Sequence, residues 1–403
     1  SLIVGAVICL FAVGFIEMSR HVEVHGAFYA YVTEALGIRL GVGSAWVAIL
    51  AYGTIQAAMY GLYGAVFAGM LTAWTGVMVP WWAVAVTTML LVLFLGSRNI
   101  EVGARLLIVL VAAEFLIIVA FIVGVMITGT PEGFDLGASF SPGAVASGAP
   151  GVAVVFAVAS MVGFESTAIY AGEAKDPKRT IPIATYLAVG VVALFYAFSL
   201  WVVISYYGPS NVIDAAAASL EGDSSMFVIA AMADVLGPWA GDVAGILLVS
   251  SLLAGILAFH SGVNRYVHSL AVRHALPASF ARTNHHDAPA NAARLQTVMA
   301  LLTVMPFAFV GADPTLTLFP WGGGVAVMSL MVLYVLCSVS VVMFFRRRAA
   351  SLVRTRVIPV IALTLLSGLL VLVVINFSAL TGGSGVLSAL LIGLIPVAFI
   401  AGY

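Results

Sequence analysis

Charge is what this sequence has least of. Of its 403 residues only 8% are Asp, Glu, Lys or Arg, where soluble domains carry about 25%; that shortage excludes a water-soluble globular protein. Cysteine is scarcer still. Cys9 and Cys337 lie inside apolar runs, without CxxC or metal-ligand spacing, so neither a disulfide framework nor a metal site is expected. A basic surplus is missing too: 16 Lys and Arg against 17 Asp and Glu leave a net charge of −1, which offers no footprint for nucleic acid. Catalytic signatures are lacking, with no H-E-x-x-H, no G-x-S-x-G and no paired intramembrane aspartates. No enzyme and no cofactor is expected.

What the chain has is hydrophobic length. Hydrophobic residues make up 63% of it, and apolar runs recur near the roughly 20 residues that a helix needs to cross a bilayer core about 30 Å thick. Hydropathy, Gly/Pro breaks and charge gaps place eleven spans. They cover Leu2 to Met18, Val42 to Ala73, Trp81 to Leu95, Val102 to Ile127, Val152 to Ala171, Ile183 to Tyr207, Val243 to Leu270, Leu295 to Val310, Leu316 to Phe345, Val357 to Ile375 and Val386 to Ile400. The cations then sort into alternate connections. Arg20 and Arg39, Arg98 and Arg105, Lys175 to Arg179, Arg265 to Arg294, and Arg346 to Arg356 mark the inner side, while Glu132, Asp135, Asp214, Glu221, Asp223, Asp234, Asp242 and Asp313 are left outside. By the positive-inside rule the first span runs from outside to inside. The sequence opens at Ser1 directly in that span and ends at Tyr403 within the last, so a further helix ahead of Ser1 is expected.

Two segments do not fit as spans. Asn211 to Leu236 mixes apolar residues with four acids and reads as one or two amphipathic helices on the outer surface; Val22 to Leu36 reads as a short interfacial or re-entrant helix, ordinary loop packing being the alternative for both.

The sharpest chemical feature lies in the fifth span. Glu165 is a carboxylate partway along a membrane helix, expensive there unless it meets a cavity, a partner or a proton. Gly163 precedes it, with Ser160 before and Ser166 and Thr167 after, the residues of a helix that unwinds within the membrane. An unwound segment exposes backbone N–H and C=O groups and two half-helix dipoles, able to hold a carboxylate and an ammonium or ion. A continuous helix with Glu165 as packing glue is the competing reading.

The residues GFESTAIYAGEAKDPKRTIPIATY also resemble the sixth-helix signature of the amino acid/polyamine/organocation (APC) superfamily, a G-F/V-E/D break followed by E-x-x-x-P-x-R-x-x-P-x-A at Glu173, Pro177, Arg179, Pro182 and Ala184. IEMSRHVEVHGAFYAYVTEALG is similar to that family's second helix and following loop, NRYVHSLAVRHALP to the end of its eighth, and LFPW to the entry of its tenth. The resemblance implies an all-α membrane protein of the LeuT-type fold, two inverted five-helix repeats plus two helices, with eleven of twelve helices present as a single transporter domain. It implies a multi-pass permease of a bacterial-type cell membrane, moving amino acids or related amines by alternating access, coupled to protons or, alternatively, Na⁺.

Site residues follow from the same resemblance. Ser160, Met161, Val162, Gly163 and Phe164 would form the unwound wall, Glu165 a protonatable gate, Gln56 and Met59 the third-helix lining, Phe259 an aromatic gate and Trp321, before Gly322 to Gly324, an outer closure with a flexible point. Helix packing is the alternative role for Gln56, Met59 and Phe259, and an interfacial belt for Trp321. Departures from the pattern fall at His25, His274 and Ala275, and Ala159 stands where guanidinium-binding members carry a Trp, which argues against a cation-π clamp. Glu114 is expected to pair with another helix, His260 and His268 to be hydrogen-bonded structural residues, Ser250 and Ser251 to be weak Na⁺ ligand candidates, and Asp176, Lys178 and Arg179 to form an inner gate network or anchor. A polyamine or organic-cation exchanger without proton coupling, or a non-transporting membrane receptor of the same fold, are the competing functions.

Overall fold

The computed structural model of the chain describes residues 1–22, 27–98, 104–147, 149–165, 176–220, 226–346, 348, 351–382 and 384–403. Within a bilayer every backbone donor and acceptor must be paired inside its own segment, and the regular elements among these residues are accordingly helical. In chain order they are α1 (Leu2–Ser19), α2 (Ala27–Leu36), α3 (Ile38–Thr75), α4 (Trp81–Ser97), α5 (Ala104–Thr128), α6 (Pro150–Ala159), α7 (Pro177–Tyr207), α8 (Val212–Leu220), α9 (Phe227–Leu236), α10 (Pro238–Val272), α11 (Ala290–Phe309), α12 (Phe319–Phe345), α13 (Ile358–Leu380) and α14 (Gly385–Gly402). Short helical turns at Gly137–Phe140, Pro142–Ala146 and Ala278–Ala281 and π-helical turns at Pro314–Leu318 and Val353–Val357 complete the set.

Among the described residues, nine helical stretches are long and apolar enough to cross a membrane. Each matches an expected span. The expected third span is α4, 17 residues long, or about 25 Å at 1.5 Å per residue. The expected fifth span departs most from a simple crossing: α6 stops at Ala159, and residues 160–165 are turns. Residues 166–175, which hold Ser166, Thr167, Glu173 and Lys175, lie outside the described residues, as do His25, Glu221 and Asp223. The two segments set apart from the spans are helical, with α8 and α9 in the first and α2 in the second. Phe28, Tyr29, Tyr31 and Val32 of α2 are buried rather than interfacial, and the Arg273 guanidinium lies 5.4 Å from the Tyr29 ring centroid.

Burial orders the bundle. In α12, 72% of the most apolar window is buried inside the protein, against 17% in α5, so α12 is central and α5 presents residues such as Ile108 and Leu116 to lipid. Three apolar clusters result. One joins α1, α2, α6, α12 and α13 with parts of α3 and α10. A second joins α3, α4, α10 and α11, and a third α5, α7, α9 and α10. Helix approach to α12 depends on small residues, the usual device where lipid supplies no hydrophobic drive. A side chain at Gly322 would meet the Thr54 carbonyl at 2.9 Å and one at Gly324 would collide with Leu380. Gly322 and Gly324 thus allow close packing within α12, while a side chain at Gly323 would meet open space.

Candidate functional site

The site begins with the end of α6. Its backbone ladder runs to Ser160, whose N–H donates to Phe156 O at 3.0 Å; then Met161 and Val162 tighten to three-residue bonds, to Val158 O at 2.9 Å and Ala159 O at 3.2 Å. Gly163 follows beyond the end of the helix with φ +112°, a value that a side chain resists. Glu165 is fully buried immediately beyond.

Its carboxylate is held by donors from three directions. Tyr52 Oη, on α3, donates to Oε1 at 2.9 Å. The Gly163 N–H, exposed by the break itself, donates to Oε2 at 3.0 Å, and Tyr334 Oη, on α12, approaches Oε2 at 3.5 Å. No ion pair to Glu165 is present among the described residues. Aromatic rings surround it. Phe164 lies 5.7 Å from Tyr334, 6.1 Å from Phe11 and 6.3 Å from Phe15, while Tyr52 stacks on Phe259 and also meets Tyr266, both at 5.9 Å. Such a group can be satisfied in either protonation state: the carboxylate accepts from two phenols and an amide, and the acid can donate back to a phenol oxygen.

The structure brings some of the expected residues together and separates others. Met161, Val162, Phe164 and Phe259 share one cluster around Glu165. Ser160 turns its hydroxyl onto its own helix, donating to Ala157 O at 2.8 Å. Gln56, one turn from Tyr52, points elsewhere: its amide N–H donates to Ile256 O at 3.1 Å, and its Oε1 accepts from Gln296. Met59 packs in the second cluster, against the backbone of Gly255. Trp321 faces Phe307 at 5.7 Å, and 13 residues of α12, about 20 Å, separate it from Tyr334.

Tyr52 and Tyr334 are the contacts that sequence reasoning missed. The signal was faint: Tyr52 sits in LAYGTIQAAMY, one turn before Gln56, and Tyr334 is a lone phenol in the apolar run MVLYVLC. His260, expected to be hydrogen-bonded, is instead buried with Nε2 unpartnered among the described residues, whereas other polar groups considered from the sequence have partners. Glu114 Oε2 accepts from Ser251 at 3.3 Å, tying α5 to α10 and using one hydroxyl considered for Na⁺. Ser250 donates to Leu247 O, and His268 Nδ1 lies 3.2 Å from Phe280 O. Among the described residues no group of three or more His, Cys, Asp or Glu could hold a metal ion.

Glu165 is thus a buried acid just beyond α6, closed by phenols from two other helices. The family model described as amino acid permease matches residues 1–400. The chain belongs to the amino acid permease family. It is 25% identical over 79% of its length to the gamma-aminobutyric acid permease of Bacillus subtilis (strain 168), of which it spans 67%. It is 27% identical over 46% of its length to the cadaverine/lysine antiporter of Escherichia coli (strain K12), spanning 40% of that protein. A probable amino-acid permease of Schizosaccharomyces pombe is 32% identical over 41% of the chain, which covers 32% of it. This permease is thus a multi-pass membrane protein of the APC superfamily and a transporter rather than an enzyme.

Proposed function

We propose that this permease is a secondary transporter for amino acids or related amines that works by alternating access, with Glu165 as a protonatable gate. One observation carries the reading: a fully buried carboxylate at a glycine-dependent break, bound by Tyr52 of α3 and by the Gly163 amide. The amides freed by a broken membrane helix are receptors for a substrate carboxylate. Here Glu165 occupies one of them. Protonating Glu165 weakens its hold on the Gly163 N–H and frees that donor, which links proton uptake to substrate binding. Phe164 and Phe259 supply the apolar walls.

The LeuT-type repeat arrangement belongs to the same proposal. The shared cluster of α3, α4, α10 and α11 supports it, because alternating access requires a frame against which the broken helix can move. Similarity to a cadaverine/lysine antiporter favours a second reading, exchange of organic cations without net proton movement. Uptake of labelled amino acids and amines into proteoliposomes, with and without a pH gradient, tests the proposal. Uptake that rises with an inward proton gradient is the expected result; counterflow indifferent to pH favours exchange, and no transport across a broad panel contradicts both.

A further inference from the structure

A second polar site lies away from the helix break, within the third apolar cluster. The ends of α5, α7 and α9 frame an open cleft of about 580 Å³, lined by Thr128, Gly129 and Thr130 after α5, Tyr206 and Tyr207 at the end of α7, and Asp234 near the end of α9. Each of these helices presents its C-terminus, where last-turn carbonyls and the helix dipole favour positive charge. Tyr206 Oη donates to Asp234 Oδ2 at 2.6 Å, which fixes the carboxylate at the rim through one oxygen. Tyr207 stacks on Phe227 at 4.4 Å and donates to its carbonyl at 2.9 Å, so this wall is held in place. Thr130 Oγ1 is buried without a hydrogen-bond partner. Close by, Glu132 is bound by Ser210 and by Asn211, the latter at 3.2 Å, and adds a second negative charge. The connections 129–149 and 208–237 contain no Lys or Arg, and the charge pattern puts both outside.

We propose that this cleft binds a primary organic ammonium ion. Asp234 supplies the counter-charge, the Tyr206 and Tyr207 rings supply aromatic walls, and the carbonyls and hydroxyl after α5 accept hydrogen bonds from the ammonium. The volume is that of a small-molecule site, too wide for a bare metal ion held by oxygens at about 2.5 Å. Aromatic rings beside a carboxylate suit an alkylammonium, which pairs charge with π-faces. The inference is independent of Glu165, whose surroundings belong to another cluster.

The test is equilibrium dialysis of radiolabelled n-butylamine against the full chain in phosphatidylcholine nanodiscs at neutral pH, with n-butanol as the uncharged control. Saturable amine binding is expected, weakened about tenfold or more in Asp234→Asn and about two- to fivefold in Tyr206→Leu. Tyr206→Phe breaks the bond to Asp234 but keeps ring and charge, so it should bind as the parent does. Unchanged affinity in Asp234→Asn overturns the proposal. So does equal loss in Tyr206→Phe, which would make the Tyr206–Asp234 pair a structural latch.

Discussion

Two buried polar groups sit one helical turn apart on α3 and behave oppositely. Tyr52 reaches to Glu165, an ionisable side chain at the end of a broken helix. Gln56 reaches to Ile256 O and Gln296, neutral groups on unbroken helices. The second leaves Gln296 Oε1 buried without a hydrogen-bond partner among the described residues; only the first can change charge, and only the first uses a backbone donor from the turns after α6. The amide pair joins α3, α10 and α11, whereas the carboxylate joins α3 and α12 to the turns after α6. Under the proposed mechanism the amide pair holds the frame and the carboxylate segment moves, a contrast that experiment can break.

The largest effect is expected at Gly163. Gly163→Val forces a β-branched residue into φ +112°, at about 1–3 kcal/mol of backbone strain. It also displaces the N–H that holds Glu165, so proteoliposome uptake should fall to background while the protein still inserts in the membrane. Uptake at the parent rate would mean that the break is dispensable. Next comes Gln56→Leu, which strands the buried Gln296 amide N–H at about 1–3 kcal/mol. A lower thermal midpoint with an unchanged pH profile of transport is expected, and Gln56→Leu with Gln296→Leu should recover part of the loss. A shifted pH profile would place Gln56 in the coupling machinery. The smallest effect belongs to Tyr52→Phe, which keeps the ring on Phe259 but removes one hydrogen bond to Glu165, about 1 kcal/mol. Roughly fivefold slower uptake at an unchanged thermal midpoint checks it.

Much of the fold is legible in the sequence because lipid demands long apolar helices and loops betray themselves by charge. The existence of α3, α10 and α13 follows from that rule, but not all their ends: the helices run past the expected spans by four residues at the start of α3, five at the start of α10 and five at the end of α13. The break was legible for a different reason: Gly163 beside Glu165 is costly in a membrane helix unless it is used. Partners were not. Tyr52 and Tyr334 lie 113 and 169 residues from Glu165, and a lone Tyr in an apolar run looks the same whether its hydroxyl meets a carboxylate or a carbonyl. The same limit applies to Gln56, whose position beside the break is set by the helix while the direction of its amide is set by α10 and α11. Likewise the residues Gly322 to Gly324 suggest flexibility as a string, and the closeness of Gly322 to Thr54 and of Gly324 to Leu380 is visible only in the structure.

The account rests on Glu165 changing protonation during transport. Its most direct test is the pH profile of substrate uptake by Glu165→Gln in proteoliposomes, with substrate binding measured alongside. Gln keeps the size and can still accept from Tyr52 but cannot ionise. Retained binding with uptake that no longer varies with pH is the predicted result; a pH profile identical to that of the parent protein would contradict it.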